Sequence, residues 1–550
     1  MKKQLRNIFA LLTIGASITA TAQSRYDDPI FTNAQITITP DITYGTNQAL
    51  SLTGGAPGPQ ALKMDVYQPN QTVDAVTNRP LILVLHSGNF LPPVINGSPT
   101  GSRKDSAIVQ ACMEFAKRGY VVAAVTYRLG WNPISTDEEV RRGTLLQAVY
   151  RAILDVKTCV RFMRKEKATN NNPYKIDDSK IAVYGHGTGG YIALGMGYLN
   201  NQSEMELPKF VNQYDGSQDT PPNPLFVVGQ SYIIPSILGN IDGTGGNAVF
   251  NTYEHSGYSN AVNMVMNVGG ALADTSWINA GEPAVASVHC IRDPFAPFND
   301  GIVVVPTTQG DVVEVQGANV FIENANAKGL NNAYKNVLFY GDPYTARARS
   351  LYNQTYPYNL INTGSTVTIN NPDGLFPINL ADRTAINRFA NEGSPWDWWD
   401  LNVLTATVNA VNATGAGPYD AATINATNTL SNPGMSATKG KTYVDTVINY
   451  FCPRIMRQLQ VGNWEALGIK NNEQANQVSV YPNPSNGLVT VTATTNIKQI
   501  EVFDLAGKAI FTSNNYNNKC TINTSAYNKG MYIIKVQTED AIQTTKLLVD

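Results

Sequence analysis

The sequence predicts an α/β domain with a mostly parallel central sheet and insertions, followed by a small C-terminal all-β sandwich. Three observations predict it. Between 81 and 199, continuous apolar runs alternate with stretches of helical period. A glycine-rich stretch, YGHGTGG at 184–190, joins one such run to a helix. Between 478 and 550, short runs of period two are separated by Asn-Gly, Ala-Gly and Lys-Gly turns. Strand, helix, strand, helix, strand in that order gives a right-handed parallel sheet. Short alternating runs between turns give an antiparallel sandwich.

The start reads as a secretory signal peptide over 1–22. Lys2, Lys3 and Arg6 precede an apolar stretch that ends in Ala20-Thr21-Ala22. That stretch is shorter than the ~20 residues a span needs. No other run of 18 or more apolar residues follows, so the mature chain is expected to lack a transmembrane segment.

The body, 23–459, then unfolds element by element. Leu81 to Leu85 are all apolar, as in a strand buried on both faces. Ile108, Cys112 and Phe115 mark one face of a helix that ends at Gly119. VVAAVTYRLG is a second buried strand. Leu146, Val149, Ile153, Val156, Val160 and Met163 step by three and four, which is an amphipathic helix. Strands follow at 181–184, 262–272 and 284–293, a helix at 317–328, a last strand at 336–342 and a closing helix at 443–452. Two stretches, near 201–260 and 345–440, read as insertions. The second is rich in Ala, Asn and Thr and reads as a polar surface excursion. It also holds SPWDWWD at 394–400, either an aromatic platform for sugars or flat ligands or a lid anchored by buried tryptophans. A polar linker, 460–477, leads to the tail at 478–550.

Composition narrows the function. Charged residues are 15% of the chain and the net charge is −2. With no basic face, nucleic acid is excluded as a partner. No His/Cys cluster has zinc spacing, so no metal or other cofactor is expected. The five cysteines leave at least one unpaired within the molecule. Cys112 and Cys159 fall on inward helix faces, where they bridge or pack as small apolar groups. Cys290 and Cys452 form a weaker candidate pair, and Cys520 lies alone in the tail.

LKMDVYQP (62–69), the strand running into LHSGNF (81–90), RGYVVAAVTYRLG (118–130), AVYRAILDVKTCVRFMR (148–164), KIAVYGHGTGG (180–190) and SVHCIRDPFAPF (287–298) occur in this order. They resemble successive landmarks of carboxylesterase-like α/β-hydrolases of the secreted esterase and lipase-like branch. YPNP at 481–484 with Gly487, VFDLAGK at 502–508 and GMY at 530–532 resemble the type A sorting domain of the type IX secretion system. The second resemblance implies the type IX machinery as a partner, and passage through both membranes to the cell surface or the medium.

The first resemblance implies a nucleophile, a base, an acid and an oxyanion loop. In the G-x-S-x-G register Gly185 and Gly189 are the flanking glycines, and the nucleophile position is Gly187, which has no side chain. Thr188 is one place along, where the resemblance implies a backbone N–H for the oxyanion. The acid position is Asp293, whose other reading is a turn-capping carboxylate. The base should follow the last strand, yet the four histidines are His86, His186, His255 and His289. The segment after Asp342, PYTARARS, offers none. The oxyanion loop reads His86-Ser87-Gly88-Asn89, with Ser87 where glycine is expected. These residues, with His186 and Thr188, are left as an oxyanion-like ligand pocket.

The sequence therefore reads as a secreted pseudo-hydrolase that binds a small molecule, a polymer or a partner. An active extracellular esterase with rearranged residues is the alternative. A structural cell-surface component is the second alternative.

Overall fold

The computed structural model describes residues 24–51, 56–213, 226–305, 308–335, 337, 342–358, 365–370, 373–467, 478–493, 495–504, 507–514, 517–538 and 542–550. The expected signal peptide, most of the strand expected at 336–342 and linker residues 468–477 lie outside them. The chain divides into two compact units, Met1–Leu467 and Gly468–Asp550.

The first unit opens with β1 (Ile36–Ala49), β2 (Gly58–Pro69), β3 (Arg79–Leu85), α1 (Ser106–Lys117), β4 (Val121–Val125), α2 (Glu138–Thr169), β5 (Ile176–His186) and α3 (Thr188–Tyr198). It continues with α4 (Pro235–Leu238), β6 (Met264–Val268), β7 (Ala284–Cys290), β8 (Asp300–Val304), β9 (Asp311–Gln316), α5 (Ala318–Ala327) and α6 (Pro343–Arg349). It ends with β10 (Thr355–Pro357), β11 (Thr366–Thr368), β12 (Leu375–Ile378), α7 (Leu401–Ala413), α8 (Ala421–Leu430) and α9 (Ala437–Leu459).

An eight-stranded sheet runs in the order β1-β2-β4-β3-β5-β6-β7-β12. From β4 to β12 every pairing is parallel, and β1 and β2 add an antiparallel edge. Both faces are covered, so β3, β4, β6 and β7 are buried throughout. This is why they read as continuous apolar runs. Successive side chains go to opposite layers. Leu81, Leu83 and Leu85 pack with residues of α2 and α3, whereas Ile82 and Val84 pack with residues of α1 and α9. Each such side chain contributes about 1.5–3 kcal/mol when fully buried.

Helix α2 starts eight residues earlier than its apolar stripe. The Asp137 carboxylate accepts hydrogen bonds from the Glu139 and Val140 N–H groups, with Glu138 and Glu139 in the first turn. The buried Arg128–Asp155 pair, 2.9 Å apart, ties the end of β4 to α2. Arg128 also donates to the Phe250 carbonyl at 3.1 Å, which fastens the first insertion to the sheet.

Two expectations are corrected. The edge strand after β7 is β12, which lies inside the stretch read as an insertion at 345–440. It has four residues, LFPI, and contains Pro377. It is too short to show a period, and proline is tolerated there because only one side of an edge strand is paired. The cysteines do not bridge: all five are free. Cys112 belongs to the layer of α1 and Cys159 to the layer of α2, with the sheet between them. A helical stripe reveals an inward face but not which side of the sheet it meets. Cys290 and Cys452 pack as apolar groups in one layer.

The second unit contains β13 (Val478–Tyr481), β14 (Leu488–Ala493), β15 (Ile497–Phe503), β16 (Ala509–Ser513), β17 (Lys519–Asn523), β18 (Gly530–Thr538) and β19 (Ile542–Val549). They form sheets of order β13-β14-β17 and β16-β15-β18-β19, antiparallel throughout. Alternate residues such as Val489, Val491, Ile500, Val502, Ile534 and Val536 make its core. Among the described residues, no helix is long and apolar enough to cross a membrane.

Candidate functional site

Strand β5 ends at His186, Gly187 turns the chain with φ 49° and ψ −115°, and α3 begins at Thr188. The flanking glycines are required by space. A β-carbon on Gly185 would lie 2.0 Å from the Gly189 carbonyl oxygen, and one on Gly189 would lie 2.4 Å from that of Leu85. At Gly187 the nearest atom to such a β-carbon is Ser87 Oγ, at 2.3 Å. The side chain of Ser87 thus occupies the place a residue-187 side chain would take.

A cavity of about 740 Å³ opens over this turn. Ser87, Gly88, Asn89, Gly187, Thr188 and Asp293 all line it. The structure therefore brings the expected nucleophile position, acid position and oxyanion loop to the C-terminal edge of one sheet. None of the four histidines lines the cavity. His86 is buried, stacks on Tyr127 at 4.5 Å and places Nδ1 2.6 Å from the Ser87 carbonyl oxygen. Burial lowers its pKa to about 4. His186 is hydrogen-bonded through Nε2 to the Tyr184 hydroxyl, and burial lowers its pKa to about 3. Both rings are neutral at ordinary pH. His255 donates to the Tyr44 carbonyl at 2.7 Å and packs against Phe162 of α2.

Asp293 is buried, and its Oδ1 accepts the N–H groups of Phe295 and Ala296 at 2.8 and 3.1 Å. His289 Nε2 lies 3.6 Å from its Oδ2 and 3.1 Å from the Ala296 carbonyl oxygen. The carboxylate closes its own turn and leans on a buried histidine of the same strand end.

Sequence reasoning names 394–400 as a lid or platform but does not place this loop, between β12 and α7, beside Asp293. Because β12 was not legible, the base was sought at 343–349. That segment is helix α6, whose Thr345 meets Arg454 of α9, and none of its residues lines the cavity. The loop that follows the last strand instead runs from 379 to 400. Gly393 sits against Asp293: a β-carbon there would lie 2.6 Å from Asp293 Oδ1. The same loop carries Asp397, which lines the cavity. Burial first, and the charge of Asp105 second, push the Asp397 carboxyl up to about 8. Asp105 itself is raised to about 6 by burial, although Gly101 and Ser102 N–H groups donate to it. Of the three tryptophans, Trp396 is buried and Trp398 packs on Gly440, so these two anchor the loop. Trp399 donates to Asn425 Oδ1 at 2.9 Å and faces the cavity. Among the described residues, no cluster of His, Cys, Asp and Glu could hold a metal ion.

Comparison with known proteins accords with this geometry. Residues 64–301 match the BD-FAE family model. Residues 479–550 match the model of the secretion system C-terminal sorting domain. No curated protein matches the chain. Solved structures that it resembles include Thermogutta terrifontis esterase 2 phosphonylated by cyclosarin, at 16% identity over 47% of this chain and 73% of that one, with a TM-score of 0.28. The propionate-bound form of that esterase is 15% identical over 48% and 75%, with a TM-score of 0.28. A bifunctional GH43-CE protein of Bacteroides eggerthii is 16% identical over 54% and 31%, with a TM-score of 0.29. The α/β body thus carries over 64–301 a region similar to the BD-FAE family, and residues 479–550 form a type IX C-terminal sorting domain, which sends the chain to the cell surface or the extracellular space.

Proposed function

We propose that the exported body is a pseudo-hydrolase: it retains a ligand in the cavity over Gly187 and does not cleave it. The observation that carries this reading is the pairing of Gly187 with Ser87 Oγ in the nucleophile's place. Glycine has no group to attack a carbonyl, and no histidine stands in the cavity to take a proton from any hydroxyl there. In a serine hydrolase the loss of the nucleophile alone costs on the order of 10⁶ in turnover. The cavity, in contrast, is about 740 Å³ and is lined by apolar residues such as Leu145, Val149 and Ile153.

The test is turnover of a short-chain activated ester, together with labelling by a serine-reactive phosphonate. The reading expects neither above the buffer rate. A second reading has one observation in its favour. Ser87 Oγ sits at the nucleophile's location and Ser87 lines the cavity. On that reading the phosphonate would label Ser87, and Ser87→Ala would abolish both labelling and turnover.

A further inference from the structure

The loop that follows β12 brings an acidic group to the cavity and gives it nothing to pair with. Its backbone is tied down: the Asp397 N–H donates to the Ser394 carbonyl at 3.1 Å, and Asn432 Nδ2 donates to the Asp397 carbonyl at 2.8 Å. Asp397 lines the cavity two residues before Trp399, which lines it too. Burial and the nearby Asp105 carboxyl both act against its charge, and no donor among the described residues offsets them. Asp105 is itself engaged in the turn before α1, where the Gly101 and Ser102 N–H groups donate to it.

The protein supplies no cation to this corner. Among the described residues that line the cavity, Arg388 is the one with a positive charge. Its guanidinium lies over the Phe389 ring at 5.5 Å, donates to the Pro294 carbonyl and feels the charge of Asp293. Lys439 of α9 is held by Glu392, Asn432 and the Pro433 carbonyl, and it does not line the cavity. The other titratable neighbours belong to β5. Tyr184 is within reach of the Asp397 charge, and the His186 ring is 5.6 Å from that of Trp396. Burial keeps both neutral near neutral pH. A carboxyl without a partner and a tryptophan ring on one short loop suit an organic cation, the first by its charge and the second through its π-face. An anion in the same corner would be repelled by Asp105 and Asp397.

We propose that the acidic corner made by Asp397, with Asp105 near it and Trp399 on the same loop, binds the ammonium or guanidinium head of an organic cation whose apolar body lies in the rest of the cavity. This names the ligand class of the cavity and rests on the non-catalytic reading, under which the cation is held and released unchanged. Binding is then linked to a proton. The Asp397 carboxyl, raised to about 8, carries a proton at neutral pH, and an arriving cation displaces it.

Titration calorimetry on the purified full chain tests it between pH 6 and pH 9, with octylammonium, octanol and octanoate as probes. The ammonium keeps its charge throughout that range. It should bind about tenfold more tightly at pH 7 than at pH 6, tighten further to pH 8 and level off above it. Octanol should show no such rise, and at pH 9 the ammonium should be at least about tenfold tighter than either other probe. At pH 7, titrations in phosphate and in Tris should report about one proton released per ammonium bound. Asp397→Asn should flatten the pH profile and weaken the ammonium at pH 9 by at least about tenfold, with octanol unchanged. An ammonium affinity that does not rise with pH, or octanol or octanoate matching it at pH 9, overturns the proposal. The wild-type profile decides this by itself, so the test stands even where the variant fails to fold. An activated ester incubated with the same preparation separates the two ideas. Its turnover overturns the non-catalytic reading whatever the cation does, whereas no turnover and no preference for the ammonium overturns only the ligand class.

Discussion

The hydroxyl oxygen of Ser87 lies 2.3 Å from the point where a β-carbon on Gly187 would sit. These are two departures from the hydrolase pattern, a serine where glycine is expected and a glycine where serine is expected. Sterically they are linked, because a side chain at 187 requires the Ser87 hydroxyl to move. Gly187→Ser therefore faces two costs. Its φ of 49° strains a residue with a side chain by about 1–3 kcal/mol, and the crowding with Ser87 adds about 1–3 kcal/mol. Ser87→Gly in the same chain should return the crowding part. Denaturant unfolding of the two single variants and the double variant gives a coupling energy. A value near zero would show that Ser87 moves aside freely. On the non-catalytic reading none of the three should turn over an activated ester, since no histidine lines the cavity.

On the non-catalytic reading, the place beside Asp293 where a base would stand is taken up by Gly393. Gly393→His would bring its β-carbon to 2.6 Å from Asp293 Oδ1 and 3.0 Å from Oδ2. The loop must shift, and the two N–H bonds that hold the carboxylate must loosen. A loss of at least about 1–3 kcal/mol is expected. Ser394, the next residue, lines the cavity, so Ser394→His has room for its ring. Combined with Ser87→Gly and Gly187→Ser, it should yield a trace of ester turnover that Gly393→His in the same background does not. Equal turnover from both would mean that Gly393 does not set the position of the base.

Asp397 gives the protein a pH signature. Burial, then Asp105, raises its carboxyl to about 8, whereas an unfolded aspartate titrates near ~3.9. Between these values the folded chain holds a proton that the unfolded chain has lost. Stability therefore falls as pH rises from about 4 to about 8. Asp397→Asn removes this dependence, so the variant should gain on the wild type across that window, by up to about 1.4 kcal/mol per pH unit. His86 and His186 act in the opposite direction. Their pKa values of about 4 and about 3 mean that the unfolded chain binds protons first below ~6.5, and stability falls with further acid. Thermal melts of wild type and variant at pH 5 and pH 8 check the sign. A difference that does not grow between them would place Asp397 among ordinary ionised carboxylates.

The parallel strands were legible because burial on both faces writes itself as unbroken apolar runs such as Leu81 to Leu85. The elbow was legible because Gly185 and Gly189 have no sterically allowed substitute. What stayed hidden is of two kinds. Strand β12 is four residues containing Pro377 and has no period to detect. Without it, the loop holding Gly393 and Asp397 had no place in the fold. The other kind is depth. Nothing in the spelling of Cys112 and Cys159 tells that a sheet separates them, or that Ser87 meets Gly187 across a long interval of chain.

The tail supplies the last prediction. The unit from Gly468 to Asp550 has its own core of Val489, Val491, Ile500, Val502, Ile534 and Val536. The first unit is closed at its end by α9, whose Val447, Ile448, Phe451 and Ile455 are buried in one layer of its sheet. Just beyond, Val461 is buried and Arg457 donates to the Trp464 carbonyl at 3.1 Å, so the chain is held to the body as far as residue 467. Removing 468–550 should thus leave a body with its own complete core, able to unfold cooperatively at nearly the wild-type temperature. Its route should change instead. The residues that match the sorting domain are 479–550, and without them the outer-membrane step has nothing to recognise. Cells carrying the truncated gene should accumulate folded protein in the periplasm, where the intact gene delivers it to the surface or the medium. Fractionation with circular dichroism of the recovered protein reads both halves of the claim. Truncated protein outside the cell at the wild-type level would sink the routing half, and truncated protein recovered only unfolded would sink the folding half.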